Sequence, residues 1–324
     1  MLKNYRITCK ILGYASPKFI HRFTIYLRGA FGYTLKSSSC KFSPDASCLK
    51  CKLKSSCPFM LIFKPPRKLF HGRFLMQKIK YVPRPYVFTP ALKINTDKLC
   101  FYLRIYGGIL HFEPIVIKAI KGLEERSFLN GSIKLKVEKI EAVNELKNLS
   151  FTLFTDEKGF IESLVEKAVI LSEDIKSWAK EHARFPNFQL QVNLASPTKI
   201  LRDGKNIFET KDVRLSDFVR YLARRRSLLS YFYLGKIFYD VKDVRKLMKW
   251  SDENTVATIQ DLKKTCISIK RSAKFYIGKI LFNFKNAGTE AEEILDLMKF
   301  GEYMGVGEMT AFGMGQYNLK IVER

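Results

Sequence analysis

The chain has 324 residues, and its 57 Lys and Arg side chains against 31 Asp and Glu give a net charge of +26. Its 47% apolar content argues against disorder, and its length allows two domains. The sequence has no apolar run of about 18 residues and no secretion signal, which argues against a membrane span and predicts a cytoplasmic protein. The excess of positive charge favours a polyanionic partner. The 26 Phe and 15 Tyr suit single-stranded nucleic acid better than a membrane surface.

The first predicted elements are a strand and an amphipathic helix. Residues from Tyr5 to Ile11 alternate between apolar and polar, which is typical of a strand, and apolar residues recur at helical spacing over about 20–37. The other face of this helix carries a strip that we name strip 22–36: Arg22, Tyr26, Gly29, Tyr33 and Lys36. Such a face is usually only solvated. The glycine in mid-helix costs about 0.5–1 kcal/mol relative to Ala, and with two tyrosines beside it the strip favours an RNA-binding surface that includes Arg22 and Tyr26.

Four cysteines follow this helix within 18 residues: Cys40, Cys48, Cys51 and Cys57. A Cys-x2-Cys pair flanked by two further thiols supplies the four ligands that tetrahedral Zn²⁺ requires. An iron–sulfur cluster is the less favoured alternative, and unpaired buried thiols are another. Because four protein ligands leave no open position for water, we predict a structural zinc site in an insertion over about 40–60.

Further strands are predicted at Leu99–Ile105, Ile133–Val137 and Leu149–Phe154, with a helix over Gly108–Ile120. Together with the first strand and helix, this order indicates a ferredoxin-like βαββαβ domain over 1–160. The pattern from about 156 to 185 turns helical and charged, and we interpret 161–185 as a connector.

The order of strand and basic helix then repeats, which predicts a second ferredoxin-like domain over 186–324. Phe188–Leu194 alternates as a strand, and a helix from Leu215 presents Arg220 and Arg224 on one strip. A basic hairpin follows, with Lys270, Arg271 and Lys274 as candidate phosphate contacts. Lysines that protect a solvated edge strand are the alternative interpretation of this hairpin.

The chain ends in a glycine-rich loop before an alternating strand. Five glycines lie within 15 residues, Gly301, Gly305, Gly307, Gly313 and Gly315, and Tyr317, Leu319 and Ile321 alternate after them. Such a density indicates positive φ angles or a close backbone approach. The amides of the loop are candidates to bind phosphate, and a tight turn is the alternative. The loop has no Lys-Ser/Thr and opens no helix, so it is neither a P-loop nor a dinucleotide fingerprint.

Four segments of the chain resemble one protein family. Gly307, Thr310, Phe312, Gly313 and Gly315 match a Gly-x-x-Thr-x-Phe-Gly-x-Gly pattern of the RAMP proteins of CRISPR systems, most closely their repeat-processing endoribonucleases. Residues 27–35 resemble the first-helix motif of one branch of these enzymes, and the segments 40–59 and 83–87 resemble the same branch. In many members a His follows the helix motif, where this chain has Tyr33.

The resemblance implies an RNA substrate and a site on the first helix. In this family the 2′-hydroxyl attacks the adjacent phosphate without a metal, leaving a 2′,3′-cyclic phosphate and a 5′-hydroxyl. We expect Tyr33, His21 and Lys36 to be catalytic: His21 as a general base, Tyr33 as a proton donor or positioning group and Lys36 as a cation for the phosphorane. Of the other histidines, His71 lies in a basic segment, and His111 and His182 on predicted helices are expected to be structural.

These patterns together predict an α+β protein of two tandem ferredoxin-like domains that processes CRISPR precursor RNA and binds the repeat RNA between them. One alternative is a guide-RNA-binding subunit of a CRISPR effector complex with little or no catalysis, contacting other subunits of that complex. A zinc-containing binder of tRNA or ribosomal RNA is a more distant alternative. No membrane partner is expected.

Overall fold

A computed structural model describes residues 1–42, 47–48, 50–65, 82–161, 165–185, 187–268 and 272–322. These residues form two compact units. The first contains the described residues up to 170 together with 232–234, and the second contains the described residues of 171–231 and 235–322. Where the sequence predicts a connector over 161–185, the structure has a helix at Ser172–His182 that packs in the second unit against the helix Thr289–Met304.

The first unit is built on an antiparallel sheet in the order β2-β4-β1-β6-β7-β8, with β3 beside β4 and β5 beside β6. Its strands are β1 Leu2–Gly13, β2 Tyr86–Phe88, β3 Leu92–Lys93, β4 Lys98–Tyr106, β5 Ser127–Phe128, β6 Ile133–Asn144, β7 Leu149–Thr155 and β8 Gly159–Phe160. The central strand β1 pairs Ile7 with Phe101 of β4 on one side and with Ile140 of β6 on the other.

The helices of the first unit are α1 Pro17–His21, α2 Phe23–Ser39, α3 Pro58–Ile62 and α4 Glu113–Lys121. Helix α2 packs beside α4, and its fully buried residues Phe23, Leu27 and Phe31 recur every fourth position, as one helix face requires. The order β1-α2-β2-β4-α4-β6 is the ferredoxin-like plan, so the predicted fold is confirmed for this half.

The second unit repeats the plan with the sheet order β12-β13-β9-β14. Its strands are β9 Gln189–Thr198, β10 Leu201–Arg202, β11 Lys205–Asn206, β12 Thr255–Ser268, β13 Ser272–Phe284 and β14 Tyr317–Val322. Its helices are α5 Ser172–His182, α6 Ile207–Thr210, α7 Leu215–Leu234, α8 Val241–Asn254 and α9 Thr289–Met304. The order β9-α7-β12-β13-α9-β14 therefore confirms the second ferredoxin-like domain of the prediction.

Some predicted boundaries differ from the structure for local reasons. The helix predicted over 20–37 is two helices, because the side chain of Ser16 caps a short helix at Phe19 N and the chain leaves helical geometry at Arg22. The helix predicted from Gly108 begins as 3₁₀ over Gly107–Phe112 and becomes α-helical at Glu113. Among the described residues, every helix is too short or too polar to cross a membrane.

Candidate catalytic pocket and nucleic-acid interface

The three predicted catalytic residues lie on two different helices. His21 ends α1 and is exposed, whereas Tyr33 and Lys36 lie in the C-terminal half of α2, one helical turn apart. His21 is not among the residues that line the cavity beside Tyr33. His71 lies outside the described residues.

The middle of strip 22–36 is used in part for packing. Tyr26 is half-buried and stacks on Phe19, with ring centroids 5.6 Å apart. Gly29 is exposed, and a Cβ there would meet nothing within 4 Å among the described residues. Position 32 requires a glycine for packing, which the sequence did not reveal. A Cβ there would lie 2.7 Å from ring carbons of Phe63.

Tyr33 lines a cavity of about 430 Å³ in the first unit. Its side chain is 50% exposed, and the guanidinium of Arg126 lies 4.0 Å from the centroid of its ring. The other residues that line the cavity include three hydroxyls and four charged side chains: Thr34, Ser37, Ser38, Lys118, Lys121, Glu124 and Glu125. Tyr33 therefore lies at an open site with two lysines, two glutamates and three hydroxyls in its wall and the Arg126 guanidinium over its ring, and the cations and hydroxyls suit a phosphodiester.

The two lysines that line this cavity, Lys118 and Lys121, differ in their contacts. Lys121 donates to Glu124 at 2.7 Å, and the same carboxylate oxygen accepts from the backbone amide of Val137 at 2.7 Å. Lys118 is exposed and makes no ion pair with the described residues. Sequence reasoning missed Lys118, Lys121 and Arg126 because they are 85 or more positions from Tyr33. The ferredoxin-like plan was the available signal, since it places its two helices on one face of the sheet.

The four predicted metal ligands lie around a single cavity of about 470 Å³. Cys40, Cys48, Cys51 and Cys57 all line it, and none of the four forms a disulfide. Lys36 lines the same cavity. Within the described ranges, no group of three or more Cys, His, Asp or Glu side chains is close enough to hold a metal ion. Four thiols are a suitable set of ligands for Zn²⁺. The thiols lie farther apart here than the ligands of a bound metal ion do, so the metal stays a prediction.

The glycine-rich loop binds its own chain. The amides of Gly305, Gly313 and Gly315 donate to Gly301, Thr310 and Pro197 at 2.7, 2.9 and 3.0 Å. All three glycines are buried at positive φ, as the sequence indicated for the backbone. These amides are therefore not free to bind phosphate, in contrast to the expectation from composition. Gly307, also at positive φ, lies close to the chain at Lys199, where a Cβ would be 3.1 Å from the carbonyl carbon.

A lysine-rich cavity of about 550 Å³ lies beside this loop in the second unit. Three lysines line it, Lys199, Lys205 and Lys274, and one carboxylate, Glu209, lies 3.4 Å from the Lys274 ammonium. Lys199 forms an ion pair with Glu308 of the glycine-rich loop at 3.0 Å. Of the predicted hairpin contacts, Lys274 is exposed at this cavity, while Lys270 and Arg271 lie outside the described residues.

The arginines of α7 have three different environments. Arg220 donates to the carbonyl of Leu201 at 2.6 Å, and Arg224 is exposed. Arg225, which the sequence analysis did not select, has Nε and Nη2 buried without a hydrogen-bond partner. Burial without a compensating anion lowers the pKa of Arg225 to about 10.

Comparisons with known proteins agree with this architecture. Residues 192–317 match the family model of the CRISPR-associated endoribonuclease Cas6, and residues 3–166 match the model AF_1859_N, an N-terminal domain. No curated protein matches the chain by sequence.

Solved structures of Cas6 share the fold. A Cas6 from Thermus thermophilus aligns with a TM-score of 0.57 at 15% identity, covering 99% of this chain and 98% of its own. Its product complex aligns at 0.58 and 14% identity, over 99% and 100% of the two chains. The product complex of a second Cas6 aligns at 0.53 and 14% identity, over 98% and 99%. Residues 192–317 therefore match the Cas6 family of CRISPR-associated endoribonucleases, and the chain as a whole shares the tandem ferredoxin-like fold of the solved Cas6 structures.

Proposed function

We propose that this protein cleaves CRISPR repeat RNA without a metal ion, at the cavity beside Tyr33. The 2′-hydroxyl attacks the adjacent phosphorus, its proton passes to solvent, and the bond from phosphorus to the 5′-oxygen breaks as that oxygen takes a proton. The products are a 2′,3′-cyclic phosphate and a 5′-hydroxyl. The observation that carries the proposal is the exposed Tyr33 at a cavity with Lys118 and Lys121, under the guanidinium of Arg126.

Each group has a role that its geometry suits. The Tyr33 hydroxyl donates to the leaving 5′-oxygen, and its ring is held by Arg126 at 4.0 Å. Lys118 and Lys121 stabilise the negative charge of the phosphorane. His21 lies on the separate helix α1 and does not line this cavity, so we assign it no part at this phosphate, and solvent accepts the 2′ proton. An enzyme without a side-chain base loses about 10²–10⁴-fold in rate, which makes this a slow nuclease.

The lysine-rich cavity of the second unit is the proposed site for the RNA backbone outside the cleaved bond. Lys199, Lys205 and Lys274 give it a net positive charge with Glu209 as its one lining carboxylate. Each phosphate contact that releases a counterion makes binding more sensitive to salt. A cytoplasmic location, where repeat transcripts are made, is part of the same proposal.

Cleavage of labelled cognate repeat RNA in EDTA, under single-turnover conditions with mapped product ends, tests this function. We expect cleavage with cyclic phosphate ends, and none when the nucleotide 5′ of the cut carries a 2′-deoxyribose. Tyr33→Phe should slow cleavage about 10²-fold if its hydroxyl serves the leaving group. Tyr14→Phe is the matched control, because Tyr14 is 81% exposed and outside the cavity. Loss of cleavage in EDTA that added Mg²⁺ restores and added Zn²⁺ does not would refute the metal-free mechanism, whereas loss that Zn²⁺ restores would report a structural metal.

One observation favours the alternative function, a guide-RNA-binding subunit of an effector complex. No histidine among the described residues lines the Tyr33 cavity, so the usual general base at neutral pH is missing. The same assay separates the two functions. Tight binding of the repeat with no product from the wild-type protein would support the binding subunit and overturn the nuclease.

We also propose that Cys40, Cys48, Cys51 and Cys57 hold a structural Zn²⁺. Support comes from their shared cavity and from the absence of any disulfide among the described cysteines. The metal would neutralise the thiolates and fix the segment between α2 and α3, a role outside the reaction itself.

A further inference from the structure

A second cavity of the second unit has the opposite charge to the rest of the chain. It has a volume of about 380 Å³ and lies among α5, α8, α9 and the segment that follows α7. Four carboxylates and two aromatic rings line it: Asp243, Glu290, Glu293, Asp296, Phe238 and Tyr239. In a protein of net charge +26, this local excess of acid needs a reason other than RNA binding.

Three of these carboxylates form a stripe on one helix. Glu290, Glu293 and Asp296 follow one another every third residue of α9, so neighbours are one turn apart and repel each other. Lys246 pairs with Glu290 at 2.9 Å from a side chain that is 73% exposed, where such a pair contributes little. Lys176 also lines the cavity, and it is exposed.

Asp296 lies in the cavity wall with one oxygen unused. The residue is 5% exposed, and its Oδ2 accepts from the buried Arg226. Its Oδ1 is also buried and has no hydrogen-bond partner among the described residues. A buried carboxylate oxygen without a partner costs about 1–3 kcal/mol or more, and a donor that enters the cavity would remove that cost.

Glu293 is a second carboxylate of the cavity wall, and it is exposed. It makes no hydrogen bond or ion pair with the described residues and lies one turn before Asp296. Partial burial raises the pKa of Glu293, as do the neighbouring carboxylates of Asp243, Glu290 and Asp296, while Lys246 opposes them. Arg226 neutralises Asp296 through Oδ2 alone, so the Oδ1 of Asp296 and the Glu293 carboxylate are acceptors of this cavity without a partner among the described residues.

The kind of cation follows from the spacing and the walls. A divalent metal needs several oxygens around one point, and no group of three or more such side chains within the described ranges meets that need. An organic cation can reach separated carboxylates with its N–H groups while its carbon chain lies against Phe238 and Tyr239. We propose that this cavity binds an alkylammonium or alkylguanidinium group between Glu293, Asp296 and the two aromatic rings.

Isothermal titration of the full-length protein without RNA tests the proposal. The probes are 1,4-diaminobutane, arginine amide and MgCl₂ at matched ionic strength. We expect saturable binding of at least one organic probe with a stoichiometry of one. Glu293→Gln should weaken it at least tenfold, and Glu292→Gln should leave it within twofold. Glu292 is the matched control because it lies next along the same helix without lining the cavity.

The outcomes also identify the source of the cation. Binding of free diaminobutane would indicate a small polyamine, whereas binding of arginine amide alone would indicate an arginine side chain of a partner; either supports the proposal. The absence of saturable binding with both organic probes would overturn it. So would equal binding of Mg²⁺, or equal affinities of Glu293→Gln and wild type with unchanged circular dichroism. Cleavage of repeat RNA should be the same in both variants.

Discussion

Replacing Gly315 by alanine should unfold the glycine-rich loop from its own sheet. Gly315 has φ +71°, and an added Cβ would lie 2.9 Å from the carbonyl carbon of Val306 and closer still to its oxygen. The two segments are joined there by the hydrogen bond from Val306 N to Gly315 O at 2.9 Å, and Gly315 N also donates to Pro197 at 3.0 Å. Relieving the clash requires a shift that breaks both bonds, because a hydrogen bond tolerates little lengthening beyond its normal range.

The expected loss has two parts. An L-residue in the left-handed region costs about 1–2 kcal/mol, and each broken hydrogen bond adds about 1 kcal/mol, so we expect Gly315→Ala to lose about 3–4 kcal/mol. Gly204→Ala is the control that isolates the first part, because Gly204 has φ +78° with nothing within 4 Å of a Cβ. A loss of this size lowers Tm by about 6–16 °C in a unit of 150–250 residues, against about 2–8 °C for the control.

Tryptophan fluorescence during thermal or urea unfolding measures the loss of stability in the second unit, which contains the glycine-rich loop. The chain has two tryptophans, Trp178 and Trp250, and both lie in the second unit with the glycine-rich loop. The unfolding midpoint from their emission should fall further for Gly315→Ala than for Gly204→Ala. Equal midpoints for the two variants would show that the backbone contact at Val306 carries no stability, and would restore the interpretation of the loop as a free phosphate-binding turn.

Three further predictions concern the proposed sites. Tyr33→His should raise the single-turnover cleavage rate about 10–100-fold at pH 7, because imidazolium is a better proton donor to the leaving 5′-oxygen than a phenol at that pH; Tyr14→His should not change it. Arg225→Met should raise the unfolding midpoint, since burial without a compensating anion lowers the pKa of Arg225 to about 10 and Met removes that charge; a lower midpoint would contradict this. Purified protein should contain one Zn²⁺ by elemental analysis, which Cys51→Ser should lose and Cys266→Ser, at an exposed thiol of β12, should keep.

The sequence predicted those parts of the fold in which the pattern is local. Alternation placed strands correctly at Tyr5–Ile11, which lies in β1, and at Phe188–Leu194, which lies in β9 from Gln189 onward. It did not predict the break at Arg22, although Ser16 followed by Pro17 is a helix-start signal. The lengths of β12 and β13 also escaped it, because a strand that is held by pairing on its neighbour need not show strict alternation.

The candidate site was predicted only where one helix contains it. Tyr33 and Lys36 are one turn apart, so spacing along the chain was sufficient for that pair. Lys118 and Arg126 reach Tyr33 through the packing of α2 beside α4 and of the segment after it, a contact between distant parts of the chain that no periodicity encodes. His21 does not line the Tyr33 cavity, because it ends α1, which the break at Arg22 separates from α2.

Lys199 connects the glycine-rich loop to the lysine-rich cavity, because it contacts the loop and lines the cavity. Its carbonyl accepts from the amide of Glu308 at 3.0 Å, its ammonium pairs with the Glu308 carboxylate at 3.0 Å, and its side chain lines the cavity. A side chain at Gly307 would press on the backbone of Lys199 and shift it. In the proposed function, the glycines therefore matter for RNA binding without touching a phosphate, because they let the loop pack closely enough to fix a lysine of the proposed RNA-backbone site.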